Sequence, residues 1–489
     1  MIWERIPSRA RAAALGGAWL LVGICGTGIV SVAEAQSGGP EWPPDQNPAV
    51  VDTGGPTLGA AAAPAGERWS LARVVATALD RNVDVRAAHG RTVQARGSAL
   101  GAWNGILPSL SGNLGYTHTK RNSASPFVES NSLIPFEDRF DTQSAGLSAQ
   151  SNLLSVPSWS EKRRQDHLKS GAESNESETR NQVVFDVKQQ YFNLVKAERL
   201  AQVSAESERL ARDEESRAQA LFEVGTVARG DVLKAKARHA TTRLDLIRAN
   251  NQVEIQRSRL KQIVGLRPGE SIEIEGALDE NVSIPDSAAS IRTALLRRPL
   301  LQSRQEAERA ARADLFGART SRLPSVTGSV DLDRSKNKEH FEIVGVPPDP
   351  TQSEEPYYST DWRSTVQLTL PVFNGFALEG RMKTAKGSVI EAEARRRQGE
   401  LDVTVEVQQA WLTLREARER IDVARDGLAS AEEDYNFSKG RYELGAGTFL
   451  DLLNAEVSLS QAKQALIEAL ADAHVAEASL ERAVGERRY

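Results

Sequence analysis

The sequence FEVGTVARGDVL at residues 222–233 returns in altered form as YELGAGTFLDLL at residues 442–453. The two stretches align without a gap. In each, an aromatic residue, a glutamate, an apolar residue and a glycine come first, and an aspartate follows six positions after the glycine. Self-similarity at a long, fixed offset is typical of a duplicated architecture. We therefore expect two related halves, and this pair of stretches decides how each half folds.

Long proline-free blocks surround both stretches. All 20 prolines lie outside residues 158–267 and 372–489, and both blocks are rich in Ala, Glu, Arg, Gln and Leu. A proline in a helix interior costs about 3 kcal/mol, so its absence from such long blocks favours long helices. The repeated glycine and aspartate then fall where one long helix turns back into the next.

Apolar positions in these blocks step alternately by three and four residues. This 3.5-residue period is that of a coiled coil, and the frequent alanines allow close packing of the helices. In the second half the seam runs through Leu414, Ala417, Ile421, Ala424, Leu428, Ala431, Tyr435, Ser438 and Tyr442, and then through Leu452, Ala455, Leu459, Ala462, Leu466, Ala469, Ala473, Ala476, Leu480 and Ala483. In the first half it recurs, with three polar interruptions, at Val232, Ala235, His239, Thr242, Leu246, Ala249, Val253, Gln256, Leu260 and Ile263.

A helix of about 30 residues, a proline and two alternating segments precede each block. The first half alternates at Leu110, Gly112, Leu114 and Tyr116 and at Ala145, Leu147 and Ala149; the second at Val326, Gly328, Val330 and Leu332 and at Val366, Leu368, Leu370 and Val372. Polar loops at residues 120–141 and 334–361 are expected between them. The segments predict four strands of about 9–11 residues, as in outer-membrane barrels.

Four strands cannot close a barrel, and lipid does not tolerate an open sheet edge. Two chains would give eight strands filled by side chains, and three would give twelve strands with a lumen. The predicted fold class is α+β, mostly α. Long coiled-coil helices, each of about 95 Å, form a tube with a strand region that several chains share.

The N-terminus predicts an exported protein. Arg5, Arg9 and Arg11 precede an apolar stretch that ends at residues 33–35 with Ala-Glu-Ala, the pattern of a signal peptide over residues 1–35. Cys25, the only cysteine, could alternatively be a lipoprotein acceptor. Cleavage after residue 35 would leave no cysteine and so no disulfide.

The rest of the chain divides by composition and repetition. Residues 36–67 are rich in Pro, Gly and Ala, which predicts a flexible lead-in. Residues 68–285 and 286–489 are then expected to form two structural repeats, each with a helix, two strands and a long helical hairpin.

The sequence contains no motif for several classes of function. The formal net charge is −5, with both signs interspersed, which argues against a nucleic-acid partner. There is no phosphate-binding GxxxxGK[ST] run and no G-x-S-x-G motif. The six scattered histidines do not predict a metal site; they are His89, His118, His167, His239, His340 and His474. We expect neither an enzyme nor a cofactor.

With the segment QLTLPVFNGF at residues 367–376, the repeat and the paired stretches resemble the TolC-like family of outer-membrane efflux proteins. The resemblance covers residues 68–485. It implies a homotrimer with a twelve-stranded barrel in the outer membrane and an α-helical tunnel across the periplasm. The implied partners are a periplasmic adaptor (membrane fusion) protein and an inner-membrane pump.

The paired stretches carry the candidate gate. Gly225 and Gly445 suit helix C-termini, and Asp231 and Asp451 suit the start of the returning helices, so a purely structural role stays open. The family resemblance implies that Asp451 forms a ring of carboxylates at the tunnel entrance. It also implies that Tyr442 hydrogen-bonds Asp231 of the other hairpin.

Two positions depart from the family pattern. Gly447 stands where an arginine would complete a link, and Asn454 stands where a second acidic ring would lie. The resemblance also implies that the tips dock the adaptor, the alternative being ordinary exposed turns. These docking residues are Val224, Gly225, Thr226, Leu444, Gly445 and Ala446.

An aromatic belt is expected around the strands, with buried packing as the alternative for each residue. Its candidates are Tyr116, Trp159, Tyr357, Tyr358, Trp362 and Phe373. Two other functions stay open. A periplasmic adaptor would carry one hairpin rather than two, and the alternating strands argue against a soluble coiled-coil protein. The exported substrate cannot be named from the sequence.

Overall fold

The computed structural model describes residues 68–126, 133–267, 269–343 and 355–485. The predicted signal peptide, Cys25 and the predicted lead-in lie outside these residues. In the first half the elements are α1 (Leu71–Arg81), α2 (Val83–Gly101), β1 (Ser109–Pro126), β2 (Leu133–Leu154), α3 (Val156–Glu223) and α4 (Arg229–Val264). In the second half they are α5 (Ser287–Arg297), α6 (Pro299–Thr320), β3 (Ser325–Ile343), β4 (Tyr357–Thr369), α7 (Ala377–Glu443) and α8 (Phe449–Val484).

The two long helices, α3 and α7, contain 68 and 67 residues. At 1.5 Å per residue each spans about 100 Å. α3 packs against α4 and α8, and α8 packs against α7, so the helices lie in the order α4, α3, α8, α7. None of the predicted seam residues is exposed, which confirms the coiled-coil period. Within the described part of the chain, no helix has the length and apolar character needed to cross a membrane.

The predicted helix of about 30 residues was wrong in both halves, where two helices meet at a bend. In the first half the bend is at Asn82, which has ψ 135° and whose side-chain oxygen accepts the Asp84 N–H at 2.8 Å. In the second half the bend is at Arg298, which precedes Pro299. The proline ring disfavours helical geometry at the residue before it and suits the first position of a new helix.

The two bends make equivalent contacts with the ends of α4 and α8. Asn82 Nδ2 donates to the Ile263 carbonyl oxygen at 2.7 Å, and Arg298 Nη1 donates to the Ala483 carbonyl oxygen at 3.4 Å. Two residues after each carbonyl, Gly265 and Gly485 end the helix in left-handed geometry, with φ 79° and 80°. We name these two contacts the hairpin joints.

The four strands form one antiparallel sheet in the order β1-β2-β3-β4. Their lengths are 18, 22, 19 and 13 residues, so the prediction of 9–11 residues was wrong. Much of both predicted polar loops is paired strand; Lys120 lies opposite Arg139, and Asn337 lies opposite Tyr357. Backbone pairing satisfies the peptide groups whatever the polarity of the side chains, which explains the difference. β4 also ends before the predicted strand residues Leu370 and Val372.

Candidate functional site

The first tip joins α3 to α4 through Gly225, which has φ 78°. The Gly225 N–H donates to the Phe222 carbonyl at 2.9 Å, and the Thr226 N–H donates to the Leu221 carbonyl at 2.9 Å. These bonds satisfy carbonyl groups at the helix end, as left-handed C-terminal caps do. Val224 is 72% exposed, and a Cβ on Gly225 would meet nothing within 4 Å. The tip therefore presents an open surface on this chain.

The second tip, between α7 and α8, uses the same turn. Gly445 has φ 72°, and the Ala446 N–H donates to the Arg441 carbonyl at 2.8 Å. Leu444 is 86% exposed. A Cβ on Gly447 would lie 3.1 Å from Cβ of Arg441 and 3.2 Å from the Tyr442 nitrogen. Gly447 is thus held close to the end of α7, and any larger residue there would require the turn to shift.

The returning helices start differently at the two tips. In α8, Thr448 and Asp451 form a capping box: Asp451 Oδ2 accepts the Thr448 N–H and Thr448 Oγ1 accepts the Asp451 N–H, both at 3.2 Å. These hydrogen bonds lower the pKa of the Asp451 carboxyl. In α4 the capping position is Ala228, which supplies no side-chain bond. Asp231, in the first turn of α4, instead pairs with Lys234 at 3.2 Å.

Tyr442 lies between the two hairpins. Its ring packs on the Phe449 ring with a centroid distance of 5.8 Å, and it contacts a small buried cluster that includes Ala218 and Ala235 of the first hairpin. Burial raises the pKa of the Tyr442 hydroxyl, and the negative charges of Glu214 and Asp231 raise it further. The structure therefore brings Tyr442 and Asp231 near each other, although among the described residues the ion pair of Asp231 is with Lys234.

Sequence reasoning missed a charged cluster next to these tips. Arg238 Nη2 on α4 lies 3.4 Å from the buried carboxylate of Glu456 on α8, and this ion pair joins the two helices. His239 contacts Glu215 at 2.6 Å and Glu208 at 3.2 Å, both on α3. Burial and the charge of Glu456 raise the pKa of Glu214 to about 6. The sequence did contain an indication of this cluster, because His239 is one of the three polar interruptions in the seam of the first half.

The sheet has one apolar and one polar face. The register aligns Leu147 with Gly112 and Leu332, and Leu332 with Trp362, on one face. Side chains on the other face are mostly Ser, Thr, Asn, Gln and Asp. Of the belt candidates, Tyr116, Tyr358 and Trp362 lie on the apolar face and Tyr357 on the polar face.

The other two belt candidates lie beyond the sheet. Trp159 is in the first turns of α3, where its ring meets Trp103 edge-on at 6.5 Å. Phe373 follows β4 and meets Phe376 edge-on at 5.6 Å. In the residues that the structure describes, no group of His, Cys, Asp and Glu side chains is arranged to hold a metal ion.

Comparison with known proteins identifies the family. Residues 74–266 and 290–486 match the family model described as "Outer membrane efflux protein". The chain belongs to this family.

Three relatives illustrate the similarity. Protein CyaE of Bordetella pertussis is 27% identical over 56% of this chain and 56% of its own, so the chain spans about half the length of that relative. The outer membrane protein TolC of Escherichia coli is 21% identical over 78% of this chain and 75% of its own. The solved structure of the CmeC outer membrane channel of Campylobacter jejuni matches with a TM-score of 0.68 at 21% identity, covering 85% of each chain.

These findings confirm the predicted family, the mostly α class with its long helices and four-stranded sheet, and the outer-membrane localisation. They favour an efflux channel over the alternatives of a periplasmic adaptor or a coiled-coil structural protein. The family is one of transport proteins, which agrees with the expectation that the chain is not an enzyme.

Proposed function

We propose that three copies of this chain form the outer-membrane duct of a tripartite export system. The duct passes substrates from an inner-membrane pump and a periplasmic adaptor across the periplasm and the outer membrane. The observation that carries this proposal is that, among the described residues, the sheet and the helical layer each end in two edges without a neighbour. Residues 68–285 and 286–489 are, in this proposal, the two repeats of each chain.

The edges of the sheet require neighbours. Within the part of the chain that the structure describes, β1 and β4 each pair with one strand, which leaves a row of backbone N–H and C=O groups on each outer side. Unpaired backbone groups cost several kcal/mol each in lipid. Because the two edges belong to different strands, β1 of one chain pairs with β4 of the next, and the contact repeats around a ring.

The two edges of the helical layer also require neighbours. α4 and α7 lie at opposite sides of the layer, and both expose apolar side chains that would otherwise face water. On α4 these are Leu244, Ile247 and Ile255; on α7 they are Leu401, Val405, Leu412 and Val423. Packing α4 of one chain against α7 of the next buries both rows and continues the ring formed by the strands.

Three chains suit the polar face better than two. A barrel of eight strands is filled by its own side chains, whereas twelve strands leave a lumen. The polar face carries Asn113, Asp331 and Asp361, which a filled and dry interior would leave without water. A water-filled lumen satisfies these groups and provides a path for the substrate.

The tips lie at the far end of the helical layer from the sheet and form the proposed entrance. The capping box holds Asp451 at the start of α8, and three such residues make a ring in the trimer. Tyr442 and Asp231 link the two hairpins of one chain and hold the entrance closed. The exposed residues around Gly225 and Gly445 dock the adaptor; they are Val224, Thr226, Leu444 and Ala446. No nucleic acid, cofactor or catalytic step takes part.

Two measurements test the proposal. Light scattering of the detergent-purified protein should give the mass of three chains, and the protein should form channels in planar bilayers. The edge variants Ile247→Lys and Leu412→Lys should dissociate the trimer, whereas the matched variant Ile247→Val should not. A stable monomer or dimer, or an absence of conductance from the wild-type protein, would overturn the proposal.

A further inference from the structure

The ion pair of Arg238 and Glu456, which we name the buried pair, lies between the two helical hairpins. Arg238 is in α4 and Glu456 is in α8, each about two helical turns after the tip that precedes its helix. The two side chains are 19% and 5% exposed in a single chain, so they are removed from water before any assembly. The buried pair is therefore part of the contact that holds the hairpins of one chain together.

The geometry of the buried pair is poor for two charges removed from water. Arg238 Nη2 lies 3.4 Å from Glu456 Oε1. Among the described residues, the buried Nε of Arg238 has no hydrogen-bond partner. One long contact offsets only part of the hydration that the two charges lose, so the pair adds little net stability. Removal of either partner, however, would leave the other charge buried and uncompensated.

A second carboxylate, that of Glu214 in α3, faces Glu456. Burial raises the pKa of both carboxyls, and the charge of Glu456 raises the pKa of Glu214 further. The charge of Arg238 lowers the pKa of Glu456, so this cation offsets the repulsion between the two carboxylates. Other charged or titratable groups around them are Arg217 of α3, His239 of α4, and Tyr435, Lys439 and Tyr442 of α7.

Other contacts between the hairpins differ in exposure and polarity. Further from the tips, Phe192 of α3 stacks on His474 of α8, with the ring centroids 4.6 Å apart. Near the tips, Arg217 of α3 lies 3.6 Å from Glu443 of α7, and these side chains are 53% and 46% exposed. Separation of stacked rings would expose apolar surface, whereas separation of the buried pair would return two charges to water. The buried pair therefore costs less to separate than an apolar contact of similar size.

We propose that Arg238 and Glu456 position the two hairpins in the closed entrance and release each other into water when the entrance opens. The inference rests on the proposed function, which places the tips at the entrance of the duct. It adds a second, buried contact to the link between Asp231 and Tyr442. Arg238 is a positioning residue in this inference, because it acts on α8 through Glu456.

The test measures the fraction of time that single channels of the purified protein stay open in planar bilayers. Arg238→Gln leaves Glu456 facing Glu214 without the buried cation, and we expect the open fraction at pH 7.5 to rise about tenfold. The matched control is Arg217→Gln, which breaks the exposed pair and should behave as the wild type does. Arg238→Lys keeps the charge and should also behave as the wild type does.

Two further measurements separate the effect of charge from that of packing. Acidification from pH 7.5 to 5 should close Arg238→Gln again, because the carboxyls with raised pKa values take up protons. The double variant Arg238→Met with Glu456→Met removes both charges and should open less often than the wild type, because apolar side chains gain no hydration on opening. This double variant tests the inference even if Arg238→Gln fails to assemble, and heat-resistant trimers on gels show which variants assemble.

Equal open fractions for Arg238→Gln and Arg217→Gln would overturn the inference, as would an open fraction of Arg238→Gln that acidification leaves unchanged. Opening of the double variant as often as Arg238→Gln would also overturn it, because lost packing rather than lost charge would then be responsible. If the wild type forms channels and any of these results is found, only this inference fails. A wild type that forms no channels would overturn the proposed function itself.

Discussion

At the scale of single residues, the two tips differ in a way that the repeat conceals. Thr448 ties the Asp451 carboxylate to the backbone of its own helix, whereas Ala228 at the equivalent position leaves Asp231 without such a bond. The aromatic residue also differs, because Tyr442 carries a hydroxyl and Phe222 does not. Asp231 and Tyr442 are thus the pair with groups available for a link between hairpins.

Removing this pair should open the entrance. We predict that the double variant Asp231→Ala with Tyr442→Phe raises single-channel conductance in planar bilayers, because a contact between the two hairpins is lost. The control is Thr448→Ala, which removes a helix cap at a cost of about 1 kcal/mol without removing the link. Conductance equal to that of the wild type in the double variant would reject the proposed link between Asp231 and Tyr442.

The raised pKa of Glu214 predicts that the stability of the protein depends on pH. Burial, and then the charge of Glu456, raise the pKa of Glu214 from 4.5 to about 6, so between these values the folded chain holds a proton that the unfolded chain has lost. Stability therefore falls as pH rises through this window. Glu214→Gln should raise the free energy of unfolding at pH 7.5 by about 1 kcal/mol, a value reduced for solvent screening.

The same variant should lose part of the stability gained on acidification from pH 7.5 to 5. Thermal denaturation at the two pH values measures this, with the exposed neighbour Asp213→Asn as the control. An unchanged difference between the two pH values in Glu214→Gln would show that Glu214 is not the group responsible.

At the scale of elements, the sequence predicts the long helices better than their ends. The seam residues such as Ile421 and Leu459 repeat at a period that only a packed helix explains, and both are buried. The bend at Asn82 gives no such signal, because an asparagine within a helical pattern is ordinary until its contact with Ile263 is known. The strands are longer than predicted because the backbone groups of polar residues such as Lys120 also pair in the sheet.

The hairpin joints offer a test with a matched control. Gly265 and Gly225 have nearly the same φ, 79° and 78°, but a Cβ on Gly265 would lie 2.8 Å from the Arg81 carbonyl oxygen whereas one on Gly225 meets nothing within 4 Å. We predict that Gly225→Ala costs about 1 kcal/mol from left-handed geometry alone. Gly265→Ala should cost about 2–3 kcal/mol, because the joint must also shift. Equal melting temperatures for the two variants would refute the packing role of the joint.

At the scale of the whole molecule, the apolar face of the sheet contacts lipid and the polar face lines the lumen in the trimer that we propose. Alternation along β3 was sufficient to predict these faces from the sequence. The carboxylate ring was not open to such a derivation, because it depends on distances between chains. The structure of a single chain shows only that Asp451 lies in the first turn of α8. The ring of three Asp451 side chains depends on the assembly and therefore stays a prediction.

Adjacent residues of β3 test the assignment of the faces. Leu332→Arg places a cation on the apolar face and should cost about 2–4 kcal/mol of stability in the membrane. Asp333→Arg changes the neighbouring side chain on the polar face and should insert normally while altering ion selectivity. Folding into lipid vesicles, followed by the heat-resistant trimer on gels, measures the difference. Poor insertion of Asp333→Arg but not of Leu332→Arg would show that the lipid-facing and lumen-facing sides have been assigned the wrong way round.

The unpartnered edges also have a genetic consequence. In the trimer that we propose, each chain is completed on one side by β1 or α4 of one neighbour and on the other side by β4 or α7 of the next. A chain with one damaged edge can still join a ring through its intact edge, and that ring then does not function. In a cell that makes intact and damaged chains in equal amounts, random mixing leaves about one ring in eight wholly intact. Edge mutations should therefore be dominant, whereas mutations that prevent a chain from folding at all should be recessive.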